Sequence, residues 1–224
     1  MSSIKPSTGI ASLDRVLQEI RLGDNIVWQV DSIDDYIPIV KPFVENAKFV
    51  EKRLVYFRFA QHKELVLPDS HVQIYKISPE DGYENFLGKI HEVIKNTGNE
   101  AHYVFDSLSE LALSCYSERM LGNFFKLTCP YLYKIGAIAY FSVIRNCHSY
   151  HAALPISQTT QLLLDLYRYK EKLYILPLKV NQRHSPTLFI LHVLENEDLI
   201  PVTESADIAE VLGTCSWPGF QSAS

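Results

Sequence analysis

At 224 residues the chain is sized for one domain with a small appendage, and its 47% hydrophobic content is enough for a full core. A formal net charge of −5, with no block of Lys or Arg, argues against nucleic acid as the main partner. The apolar runs are strand-length, the N-terminus has no signal core, and Cys115, Cys129, Cys147 and Cys215 show no Cys-x-x-Cys spacing. A membrane span is not expected, and reduced thiols in the cytoplasm are.

In chain order, Leu13, Val16, Leu17 and Ile20 follow helical spacing, and Gly23-Asp24 forms a turn before a strand over 26–30. A helix is predicted over 33–50, with Pro38 near its first turn and Pro42 as a bend. Strands follow at 54–59 and 72–77, then an amphipathic helix over 82–96 ending near Gly98. A strand over 102–106 ends in Asp106. Helices are predicted over 107–117 and 119–134, and a buried strand over 138–144. The texture then turns β-rich, with strands over 158–169, 172–181, 187–194 and 198–202, and a last helix over 204–213. The expected domain is 1–212, with 213–224 as a tail or linker. Alternating strands and helices followed by a meander predict an α/β fold: a mostly parallel central sheet, flanked by helices and extended by antiparallel strands.

The turn after the first strand, Val30 to Ile37, sits where many nucleotide-binding domains carry a glycine-rich phosphate cradle ending in Lys and Ser/Thr. Here Tyr36 and Ile37 occupy those last positions, no glycine is present, and Asp31, Asp34 and Asp35 crowd the helix N-terminus. A phosphate there would gain from the helix dipole but face three negative charges.

Several segments resemble the RecA superfamily, and within it the KaiC-like ATPases, over nearly the whole chain. Ser7-Thr8-Gly9-Ile10 with Leu13-Asp14 resembles the family's entry motif. Tyr103 to Ser107 resembles a Walker B strand, whose acid, here Asp106, helps hold Mg²⁺ in active members. Lys134 to Ala137 resembles the next helix-to-strand step. Lys179 and Arg183 resemble a Lys-x-x-Arg region near the subunit interface, with one extra residue between them. The resemblance implies a three-layer RecA-like fold. The paired glutamates that polarise water are replaced by Ala60-Gln61, so it does not imply hydrolysis. Trp28 to Asp31, Tyr56 to Ala60, and Gly122 to Tyr133 are also similar to the leading segment of phosphoenolpyruvate synthase-like and pyruvate phosphate dikinase-like proteins. That resemblance implies a regulatory or assembly module within a larger phosphotransfer protein.

Ligands in open parallel sheets bind past the carboxyl ends of strands. Asp31, Ser32, Arg58, His62, Asp106, Ser107, Arg145 and His148 fall there and form the candidate ligand site. Arg58 and Arg145 either clamp a small anion or pair with Asp31 or Asp106 across a vacated site. His148, His151 and His184 lack a convincing fourth metal ligand, so no metal is expected. No cofactor is expected either; nucleotide with Mg²⁺ is the alternative, and an unconventional ATPase the least favoured. No catalytic residue stands out. The resemblance implies a homo-oligomer, or docking to neighbouring domains, through the β-rich half; the apolar 119–134 helix either joins that contact or packs inside, since periodicity does not separate the two. Phe124, Phe125, Leu127, Tyr131, Leu132, Lys179 and Arg183 are the candidate contacts.

Overall fold

Nine strands hydrogen-bond into one sheet in the computed structural model, which describes residues 5–114 and 118–213. The strands are β1 (Asn25–Val30), β2 (Leu54–Arg58), β3 (Val72–Lys76), β4 (His102–Ser107), β5 (Ile138–Ile144), β6 (Leu162–Tyr169), β7 (Lys172–Val180), β8 (His192–Glu195) and β9 (Asp198–Pro201). The helices are α1 (Ala11–Val16), α2 (Ile33–Phe49), α3 (Tyr83–Thr97), α4 (Ser109–Ser114), α5 (Glu118–Lys134), α6 (Tyr150–Thr159) and α7 (Ser205–Gly213). The sheet order is β3-β2-β4-β5-β1-β6-β7-β8-β9. The first six strands in that order are mutually parallel, and β6 to β9 form an antiparallel meander.

The direction of each connection decides which face its helix covers. The step from β1 to β2 runs toward the β3 edge, whereas β3 to β4, β4 to β5 and β5 to β6 all run the other way. Right-handed crossovers therefore put α2 on one face and α3, α4, α5 and α6 on the other. Two cores result. Tyr36, Ile39, Val40 and Phe43 of α2 pack on Trp28, Tyr56, Val104 and Tyr140. Phe86, Ile90, Phe124, Phe125 and Ile156 pack on Val27, Phe57, Phe105 and Phe141. Strands covered on both faces are buried at nearly every position, as β1, β4 and β5 are, and β5 is apolar throughout except for Ser142.

At the entry, Asp14 accepts the Ser7 hydroxyl and the Thr8 amide, at 2.5 and 2.8 Å. Gly9 then turns with φ +83°, against Pro42 of α2. A Cβ at Gly9 would stand 2.1 Å from the Pro42 carbonyl oxygen, so the turn and α2 fit together only with glycine.

The clearest departure from expectation is α6. The sequence reads as a strand beginning at 158, but residues 150–159 are helical and β6 starts at Leu162. Pro155 argues against a helix, yet its ring lies against Gly122 of α5, where a Cβ would be 3.0 Å from Pro155 Cγ. The helix is held by this close tertiary packing more than by propensity. The strand expected over 187–194 shortens to β8, because Phe189 takes φ 63° and turns the chain. The helix expected over 107–117 is present as α4 to Ser114, and its remainder lies outside the described residues, as does the tail over 214–224.

Candidate functional site

Adjacent strands whose following segments leave toward opposite faces open a crevice at their carboxyl ends. The fold makes two such places, at β1/β5 and at β2/β4. The predicted residues divide between them, with β5 intervening between β4 and β1.

At β1/β5, Arg145 follows β5 and turns back over the sheet. Its guanidinium donates to the carbonyls of Gln29 at 3.0 Å and Leu166 at 2.6 Å. Nε lies 3.7 Å from Asp31 and 4.0 Å from Asp165, and the cation stacks 3.8 Å from the Tyr167 ring. Tyr167 in turn donates to Asp165 at 2.7 Å. Burial raises the Asp165 pKa above the usual carboxylate range, against the opposing effect of Arg145 and of the Tyr167 hydrogen bond. Ser32 is the N-cap of α2 and accepts from the Asp34 amide at 3.3 Å. Asp35 pairs with Arg168 of β6. His148 lies 2.7 Å from the Ser109 hydroxyl, which also accepts the Ile144 amide, so it ties the β4–α4 corner to the end of β5.

At β2/β4, Asp106 is fully buried. Its Oδ2 accepts the amides of Phe59 and Ala60, at 2.8 and 2.9 Å, and its Oδ1 accepts the Tyr56 hydroxyl. Burial and the carboxylate both push the Tyr56 pKa well above its ordinary value. His62 Nδ1 is 2.7 Å from the Lys63 carbonyl, while Nε2 faces the Ser107 amide at 3.5 Å and Asp106 at 3.6 Å. Arg58 donates to the His62 carbonyl at 2.9 Å, reaches Tyr56 at 3.5 Å and has Glu64 at 3.9 Å.

Asp31, Ser32, Arg145 and His148 thus belong to one strand-end cluster, and Arg58, His62, Asp106 and Ser107 to another. The arginine-to-aspartate pairing holds for Arg145 with Asp31. Asp165, Tyr56, Tyr167 and Arg168 were missed by sequence reasoning. The signal for Asp165 was present: one acid inside the apolar run Leu162-Leu163-Leu164-Asp165-Leu166.

The expected contact residues need correction. Phe124, Phe125 and Leu132 are wholly buried in the core beneath α5 and supply no surface. Tyr131 is half-buried against the same core, while Leu127 is exposed. Lys179 donates to the carbonyls of Ser157 and Thr160, at 2.6 and 2.5 Å, beside the end of α6. Arg183 pairs with Asp24 at 2.8 Å, both side chains 3% exposed. These two cations are committed within the fold.

No protein-family model matches the chain, and it has no significant match among curated proteins. Among the described residues, no helix is long and apolar enough to cross a membrane.

Proposed function

We propose that the chain is a RecA/KaiC-like domain that has lost nucleotide hydrolysis and works as a regulatory or assembly module, of the kind implied by its resemblance to phosphoenolpyruvate synthase-like proteins. The observation that carries this reading is the state of Asp106. An acid that helps hold Mg²⁺ must present an oxygen to the crevice. Asp106 is fully buried and points both oxygens at donors of its own chain.

The strand-to-helix turn supports the same reading. β1 ends at Val30 and α2 begins at Ile33, so Asp31 and Ser32 are the whole connection. A phosphate cradle of the Walker type uses about eight residues whose amides converge on the ligand. Here the amide nearest the helix start is held by the Ser32 cap, and Tyr36, at the position of the cradle's lysine, is wholly buried against the sheet. Helices on both faces of a parallel sheet fit the three-layer architecture that the resemblance implies.

Phosphoryl-transfer catalysis is almost entirely positioning and electrostatic stabilisation, and the groups for both are absent or engaged. ATP with Mg²⁺ is expected to turn over at the rate of a buffer blank. Turnover above that blank, lost in an Asp106→Asn variant that still unfolds cooperatively, overturns the reading.

A further inference from the structure

The two strand-end arginines differ in what surrounds them. Arg145 is saturated by two carbonyls, two carboxylates and an aromatic ring. Arg58 is not. Its side chain is 18% exposed; it has one carboxylate, Glu64 at 3.9 Å, where Arg145 has two at similar distances, and its close hydrogen bond is to one carbonyl rather than two. A part-buried guanidinium with so little countercharge is unfavourable unless something else supplies it.

Its neighbour makes the imbalance worse. In the parallel pairing of β2 with β3, Arg58 is the register partner of Lys76, so two cations stand side by side on one face at the carboxyl ends of adjacent strands. Like charges so placed repel. Both line an open cleft of about 540 Å³, within the size range of small-molecule sites, in which Lys76 and Glu80 are exposed. Gln61 and Ser78 add polar groups, and Glu80 and Glu110 bring negative charge. Lys76, Glu80 and Glu110 form no ion pair among the described residues. Cations and acids therefore share one cavity without closing on each other, and neither set is neutralised by the other.

A simple anion would satisfy Arg58 and Lys76 but be repelled by Glu80 and Glu110, and a simple cation would meet the reverse. A dipolar molecule satisfies both. An ammonium and a carboxylate about 3 Å apart, each with hydrogen bonds of about 2.8 Å, span a gap that direct ion pairs leave open. We infer that this cavity binds a small zwitterion of the α-amino-acid class, its carboxylate on Arg58 and Lys76 and its ammonium on Glu110 and Glu80. The site borders the Asp106 corner, whose donors Phe59 and Ala60 also line it, but it uses neither oxygen of Asp106 and lies apart from the β1/β5 turn, so it stands whether or not the chain hydrolyses ATP. It gives a module without catalysis a metabolite to sense.

The test is a thermal-shift and calorimetric titration of the whole chain with each protein L-α-amino acid in turn. The α-N-acetylated acid and the α-carboxamide of each serve as single-charge controls. At least one free amino acid should bind saturably at about 10 mM or below and raise the melting temperature. Its two controls should bind at least about tenfold more weakly, the loss of one charge-assisted contact. Lys76→Gln and Glu110→Gln alter side chains outside the core, and each should weaken binding by about tenfold without lowering the unliganded melting temperature. No binding by any amino acid, equal binding by a single-charge control, or binding unchanged in both variants overturns the inference.

Discussion

Tyr56 on β2 donates its phenol to Asp106 on β4, across adjacent strands, while the amides of Phe59 and Ala60 close over the other carboxylate oxygen. The acid has become the organising acceptor of the β2 corner. Asp106→Ala should therefore act on stability, orphaning two buried donors and one part-buried one, with a loss of about 3–5 kcal/mol. Asp106→Asn keeps one acceptor oxygen for the two amides and should lose clearly less. Tyr56→Phe, which leaves Oδ1 without its donor, should lose about 1.5–3 kcal/mol. Urea denaturation of the three variants checks the order; equal losses would mean that these hydrogen bonds do not set the corner's stability.

How far this corner was legible in the sequence depends on the kind of information it uses. Asp106 at a strand end follows from the apolar run before it, and periodicity gives each central strand. The donors facing Asp106 could not be read, because which strand lies beside β4 is a matter of topology, and β2 is far from it in the chain. Tyr56 in particular looked like one more core aromatic. Asp165 is different: a lone acid in an apolar strand signals a buried partner, but Arg145 is named only once β1 is known to lie between β5 and β6. α6 lies where no element is predicted over 150–157, and what holds its Pro155 in a helix, the close contact with Gly122, comes from another helix. Phe124, Phe125 and Leu132 were assigned to a surface because an apolar helix face does not tell whether its cover is the sheet or a partner.

Arg145 carries a prediction of its own. Removing it leaves Asp165 buried, with Tyr167 as its remaining donor and no nearby cation from Arg145. Arg145→Met should cost about 3–5 kcal/mol and push the already raised Asp165 pKa higher still. Adding Asp165→Asn should recover part of that loss, since the two side chains share one network. A double-mutant cycle by urea denaturation measures the coupling, and strictly additive losses would show that the pair does not interact.

Acid should destabilise the fold through its buried histidines. His102, 2% exposed and 5.3 Å from the Phe43 ring, has its pKa lowered to about 4 by burial and, secondarily, by Lys52. Burial also lowers His192 and His91. An imidazole with a depressed folded-state pKa binds its proton more readily when unfolded. Its contribution is fully present above the unfolded value near 6.5 and is lost as pH falls toward 4. For His102 alone the loss between pH 7 and pH 5 is about 2 kcal/mol. Stability measured in urea should fall across that range, with the raised carboxyls of Asp24 and Asp165 acting in the opposite sense. His102→Phe should flatten the slope, and an unchanged slope would place the acid sensitivity elsewhere.

The last prediction separates folding from assembly. Lys179 bonds carbonyls beside the end of α6, where a cation also complements the helix dipole, and burial lowers its pKa. Arg183 and Asp24 form a buried pair whose members are each left uncompensated if the other is removed. Lys179→Met should lower stability by about 1–3 kcal/mol and Arg183→Met by about 3–5 kcal/mol. Neither should change the molar mass seen by light scattering while the chain stays folded. Leu127 is the one α5 residue of the expected contact set that is more than half exposed, at 52%. If copies associate through α5, Leu127→Glu should reduce the molar mass across a concentration series and leave the monomer's unfolding free energy in urea within about 0.5 kcal/mol of wild type. A molar mass that responds to Lys179→Met or Arg183→Met but not to Leu127→Glu would return those two cations to the interface and remove α5 from it.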